Sequence, residues 1–156
     1  MVTAYRETIM SKVAELLGNI VTDTGRTWAL TTAPRVIRSR LNAIECTTYP
    51  FVYIAAKDEV YGLRATTSAS QQYDRTMRLG IEFYVNGLDL DTLASKVVHD
   101  VELALANFTL TGTVDDCYFE SSRILQGDSD TAALAGVEFV LVVRYRTNNS
   151  DPTTRV

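Results

Sequence analysis

The 156-residue sequence predicts an α+β domain: an antiparallel or mixed β-sheet of about four to five strands, with two α-helices packed on one face. Three observations predict it. Between Thr76 and Val85, the apolar residues Met77, Leu79, Ile81, Phe83 and Val85 alternate with Thr76, Arg78, Gly80, Glu82 and Tyr84, the period of a strand with one buried face. Two other segments repeat apolar residues every three or four positions, the period of a helix with one apolar stripe. The strand-like segments also group in runs around a single internal helix, which suits an α+β sheet better than repeated βαβ units.

The elements follow in order. The first helix runs from about Thr3 to Leu17, with Ile9, Val13, Leu16 and Ile20 on its stripe, Thr3 as N-cap and Gly18 as a left-handed terminator. Val21 to Pro34 reads as a loop or a short edge strand around Trp28. Arg35 to Ile44 mixes β-branched residues with arginines and reads as an irregular strand. After Pro50, the compact apolar run Phe51–Ala56 reads as a central strand. The second helix spans about Leu90 to Asn107, with Leu90, Leu93, Val97, Val101, Leu105 and Phe108 on one face, widened by Ala94 and Val98. Asp89 is its N-cap, and Asp91 favours the positive end of the helix dipole. Two strands close the domain, about Tyr118 to Leu125 and Gly136 to Thr147, joined by the polar turn Gln126–Ala133. The reading is one domain over 1–147 followed by a tail over 148–156, with no internal repeat or linker.

Composition narrows the function. A hydrophobic fraction of 46% and a charged fraction of 22% are those of a globular chain long enough to bury a core. A net charge of −4 and a pI near 5.0 argue against a domain that grips nucleic-acid phosphates, though not against DNA passing nearby. No apolar stretch of signal-peptide or membrane-spanning length appears, so the expected place of synthesis is the cytoplasm. Cys46 and Cys117 lie far apart without a CxxC pattern and read as reduced structural thiols.

Chemistry-bearing patterns are scarce. The single histidine, His99, sits beside Asp100 on the flank of the second helix and reads as a surface residue, not a general base. One histidine and two distant cysteines do not make a typical zinc site. The acid pairs Asp115–Asp116 and Asp128–Asp130 read as turn chemistry, because the glycine and glutamate of a calcium loop are missing. Neither a phosphate-cradling glycine motif nor a GxSxG elbow occurs. The expectation is a protein without catalysis, cofactor or metal.

Contact candidates lie elsewhere. Lys57 to Tyr73 separates two strands by about seventeen residues, long for a connection in a compact domain, so it reads as a functional loop or a connector. Arg64, Thr66, Thr67, Ser68, Ser70, Gln71 and Gln72 are its contact candidates, joined by Gln126, Asp128 and Asp130 at the hairpin tip. Arg144 and Arg146, with Arg78, Glu82, Glu120, Arg123 and Glu138, form a mixed-charge sheet face that is either solvated or sets register between subunits.

The amphipathic N-terminal helix, Tyr49–Ile54 (YPFVYI), Arg75–Val85 (RTMRLGIEFYV), Asp89–Leu105 (DLDTLASKVVHDVELAL) and Gly136–Thr147 (GVEFVLVVRYRT) occur in that order. This arrangement resembles the tail-terminator, or tail-completion, family of long-tailed bacteriophages, including the lambda-like minor tail proteins U. The resemblance implies a virion protein that forms a homo-oligomeric ring, a hexamer, at the head-proximal end of the tail tube. Its implied partners are itself, the tail tube protein and the head–tail connector or neck proteins. DNA would pass through the lumen without specific binding, and no membrane would be involved. Two alternatives stand beside it. One is a neck or head-completion protein, and the other is a small cytoplasmic ligand-binding domain with an apolar pocket and convergent polar groups.

Overall fold

The computed structural model describes residues 4–20, 33–38, 48–64, 72–87, 89–106, 108, 112–126, 134–148 and 153. Helix α1 (Tyr5–Gly18) buries Ile9, Met10, Val13 and Leu17 against the sheet. Its start differs from the sequence expectation. Ala4 holds the N-cap position without a side-chain cap bond, while its carbonyl accepts from the N–H groups of Glu7 (2.8 Å) and Thr8 (3.3 Å). Thr3 lies outside the described residues. Gly18 is not a left-handed terminator either: it belongs to the helix, and Asn19 caps it at φ −92° with its N–H on Glu15 O. Val36 Cγ2 lies 3.6 Å from where a Cβ on Gly18 would sit, an ordinary packing distance between helix and strand.

Strand β1 (Arg35–Ile37) is shorter than the irregular strand expected over Arg35–Ile44, and the part after Arg38 lies outside the described residues. Most of the expected loop over Val21–Pro34 lies outside them as well. β1 runs parallel to the start of β2 (Phe51–Arg64), pairing Arg35, Val36 and Ile37 with Phe51, Val52 and Tyr53.

The largest correction concerns the expected long loop. β2 does not stop at Ala56. It continues to Arg64, and β3 (Gln72–Asn86) begins at Gln72, so the two strands form one long antiparallel hairpin paired to Arg64↔Gln72. A 14-residue strand reaches roughly 45 Å at the usual rise per residue. The charged stretch Lys57–Glu59 hid this continuation. A β-bulge between Ala56 and Asp58 breaks the period-two pattern there.

Helix α2 (Leu90–Leu105) has the expected cap: Asp89 Oδ1 accepts from Thr92 N–H at 3.2 Å, and Asp89 Oδ2 accepts from the Thr92 hydroxyl at 2.6 Å. These bonds pull the Asp89 carboxyl below its ordinary pKa. Its buried face carries Ala94, Val97, Val101, Ala104 and Leu105, with Phe108 just beyond. β4 (Asp116–Gln126) and β5 (Leu134–Asn148) then complete the sheet. Asp116 therefore opens a strand instead of sitting in a turn, and Asn148 ends β5 instead of beginning a tail.

The sheet order is β1-β2-β3-β5-β4, with β1–β2 parallel and all other neighbours antiparallel. One face carries Met77, Leu79, Ile81, Phe83 and Val85 of β3 beside Val143, Leu141, Phe139 and Val137 of β5. Both helices cover this face, and their buried residues join a single core cluster with it. The architecture is the α+β sheet with two helices on one side that the periodicities predict.

Candidate assembly surface

The face of the sheet away from the helices is built from cross-strand charge pairs. Strict alternation on β3 sends Arg78 and Glu82 outward, opposite Asp58 and Tyr53 of β2 and Val142 and Glu138 of β5. Arg78 grips Glu120 through Nε and Nη2 at 3.0 Å each and lies 3.6 Å from Asp58. Glu138 accepts from Lys57 Nζ (2.7 Å) and from Arg123 Nε (2.7 Å). The bond from Lys57 is the main reason its carboxyl titrates below the usual range, burial working against it. Glu82 and Glu138 are direct cross-strand neighbours, a destabilising pairing if left alone. Tyr84 Oη offsets it on one side by donating to Glu82 (2.7 Å), and Lys57 with Arg123 on the other. The Lys57 stem crosses the sheet directly over Gly80. A Cβ there would stand 2.7 Å from Lys57 Cε, so any side chain would make the lysine shift from its present path to Glu138.

At the end nearest β1, this outer face carries a small aromatic cluster. Phe51 stacks on Tyr84 with centroids 4.7 Å apart and meets Tyr49 at 5.5 Å, while Ile37 closes the group. At the far end, Arg144 lies 3.9 Å from Asp116 and over the Tyr118 ring, and Arg146 Nε donates to Asp115 at 3.2 Å. That carboxylate raises the pKa of Arg146.

On the helix face, a polar knot ties the outer half of the hairpin to the body. Glu59, with 7% of its side chain exposed, accepts from the hydroxyl of Tyr145 and from that of Tyr61 (3.1 Å). Arg75 lies 3.6 Å from the same carboxylate and donates through Nε to Thr147 Oγ1 (2.7 Å), and its guanidinium sits 4.6 Å over the Tyr61 ring. Arg6 of α1 reaches Glu59 at 4.0 Å. Tyr5, also of α1, packs on Tyr145 and donates to the Thr113 carbonyl. Burial first, and then the bond to Glu59, push the Tyr145 phenol far above its ordinary pKa. The register Tyr61↔Arg75↔Tyr145 across three strands places these groups side by side. Sequence reading missed the knot, because Glu59 and Tyr61 had been placed in a loop. The signal was present in the i, i+2 spacing of Glu59, Tyr61 and Leu63, which continues β2.

The expected contact residues divide. Arg144 and Arg146 stand on the outer face as expected. Arg64 and Gln72 are strand-end residues paired with each other, and Gln126 ends β4. Thr66, Thr67, Ser68, Ser70, Gln71, Asp128 and Asp130 lie outside the described residues. His99 is half exposed, with Nδ1 3.1 Å from Asp100 Oδ1. A cleft of about 510 Å³ opens between the start of α1 and the edge of β2, lined by Arg6, Glu7, Met10, Arg38, Ile54 and Ala56 among others. Arg38 and Glu7 form an ion pair at its rim, which lowers the Glu7 pKa. Among the described residues no group of three or more metal-ligating side chains converges, and no helix is long and apolar enough to cross a membrane. No protein-family model matches the chain, and no curated protein matches it.

Proposed function

We propose that this chain is a structural virion subunit that assembles into a six-fold ring at the head-proximal end of a phage tail tube. There it ends tube polymerisation and presents the surface to which the head's connector attaches. The element order described above supports the reading through its resemblance to tail terminators. The observation that carries it is the long β2–β3 hairpin, flanked by β5 and braced at its middle by the Glu59 knot. On this hairpin Val60 (59%) and Tyr61 (55%) keep more than half of their surface exposed. Burying them against another chain would be favourable. A ring made from copies in one orientation needs heterologous, head-to-tail contacts that close on themselves, and projections on an otherwise folded body serve that geometry. A net charge of −4 suits a lumen through which DNA must slide without being held.

The test is tube growth in the presence of the protein. Tail tube protein polymerised with increasing amounts of this chain is expected to give tubes of bounded length with density at one end. Unchanged tube lengths, with the protein left in the supernatant, would reject the reading in favour of a neck protein.

A further inference from the structure

The geometry points to a second copy of this chain as the partner of both outer edges of the described sheet, with β4 of one copy adding antiparallel to the outer stretch of β2, Ile54–Arg64, in the next. The inference deepens the ring reading and rests on it only for closure, since the edge pairing itself needs neither tube nor neck.

Four features of the fold converge on it. First, β1 covers only Phe51–Tyr53 of β2, and β4 is the last strand at the opposite side of the sheet, so among the described residues both strands keep one edge unpaired. Second, among the described residues the exposed large hydrophobic side chains all lie on these two strands: Val60 and Tyr61 on β2, Tyr118 (42%) and Ile124 (46%) on β4. Third, the directions fit. β2, β3, β5 and β4 are antiparallel in succession, so β4 runs opposite to β2. A neighbour in the same orientation therefore presents an antiparallel β4 to β2, with its helices on the same side of the joined sheet.

The fourth feature is the register. The faces must match, which allows only every second alignment. The alignment that sets Asp58 opposite the neighbour's Arg123 places two exposed, opposite charges together on the outer face. It also sets Gly62 under Tyr118, Val60 beside Ser121, Tyr61 against Phe119 and Ala56 against Ile124. Each strand carries one bulge, at Lys57 and at Glu120, so the alternation is kept along the whole pairing. β2 has 14 residues and β1 covers three, which leaves, among the described residues, a stretch without a second strand neighbour as long as the 11-residue β4, and this register matches the two end to end. Edge charges and bulges normally deter such pairing. Here Lys57 is turned across its own sheet to Glu138, while Asp58, though 3.6 Å from Arg78 of its own chain, keeps over half of its side chain exposed for a neighbour.

Directly opposed residues of an antiparallel pair have Cα atoms about 4.5–5.5 Å apart, within reach of a disulfide. In a Cys46→Ala, Cys117→Ala background, Asp58→Cys with Arg123→Cys in one chain is expected to give a ladder of disulfide-linked species on mild oxidation. Either cysteine alone should give nothing beyond a dimer. In parallel, Asp58→Arg or Arg123→Asp should each weaken self-association roughly tenfold or more, and the two reversals combined should restore it. Both sites are exposed, and circular dichroism of the variants checks that the fold is kept. Rings seen by light scattering that yield no ladder and no charge-reversal rescue would overturn this inference and leave the ring reading standing. A chain that stays monomeric with and without tubes, and yields no ladder, would overturn both.

Discussion

Replacing Glu59 by alanine removes the acceptor on which the outer hairpin is fastened. Three losses follow. The buried Tyr145 hydroxyl loses a bond to a carboxylate, worth about 2 kcal/mol within the range for charge-assisted bonds. Arg75, largely buried, loses its counter-charge but keeps Thr147 and the Tyr61 ring, so its share is about 1–2 kcal/mol, well below the full cost of an orphaned buried ion. Tyr61 and Arg6 are half exposed, and water replaces their contacts at little cost. The expected destabilisation is therefore about 3–4 kcal/mol, or roughly 6–16 °C in Tm for a domain of this size. Urea unfolding of Glu59→Ala, Glu59→Gln and Tyr145→Phe measures it. Glutamine keeps an acceptor and should fall between wild type and alanine, while Tyr145→Phe should cost about 2 kcal/mol. Hydrogen exchange should show the loss concentrated in residues 58–64 and 72–76. If Glu59→Ala shifted stability by less than about 1 kcal/mol, the knot would be ornamental and the bracing argument wrong.

Three further outcomes are expected. Acid should destabilise the fold through Glu138 and Glu7, whose carboxyls titrate below the ordinary 4.5 because Lys57 and Arg38 respectively donate to them. The unfolded chain then binds these protons first, so their contribution is complete above about pH 4.5 and is lost as pH falls through the lower folded values. Glu138→Gln should flatten that part of the stability–pH curve, and an unchanged slope would count against the pairing. Phe139→Ala, at the centre of β5 with its ring 5.7 Å from Phe119, should cost about 3–5 kcal/mol in chemical denaturation. Replacing residues 65–71 by Asn-Gly keeps the Arg64↔Gln72 pair in register and should leave the melting curve intact while abolishing capture on tail tubes. A shortened variant that still caps tubes would show those residues to be bystanders.

The parts of the fold legible in the sequence are those where one physical signal dominates. The alternation through Met77–Val85 and the stripe Val97, Val101, Leu105 are set by burial against one face, and the structure follows them residue by residue. Asp89 was legible as a cap because its side chain bonds locally. The outer half of β2 was not, because Lys57–Arg64 is held by long-range partners: Glu138 for Lys57, Arg78 for Asp58, Tyr145 and Arg75 for Glu59. Read locally, three successive charges followed by a glycine look like a loop. Gly18 misled because it lies inside the helix beside Val36 and not at a left-handed turn. The outer-face charges were legible as a set, yet their pairing, and Gly80's part in it, needed the register.

The central claim is that this chain works by assembling into a closed ring on a tube end. Light scattering of the purified protein, alone and with purified tail tubes, followed by imaging of the tubes, tests it most directly. The account predicts a discrete species of six chain masses, alone or on the tubes, seated at one end of each. A protein that stays monomeric or dimeric and leaves the tubes bare would contradict it.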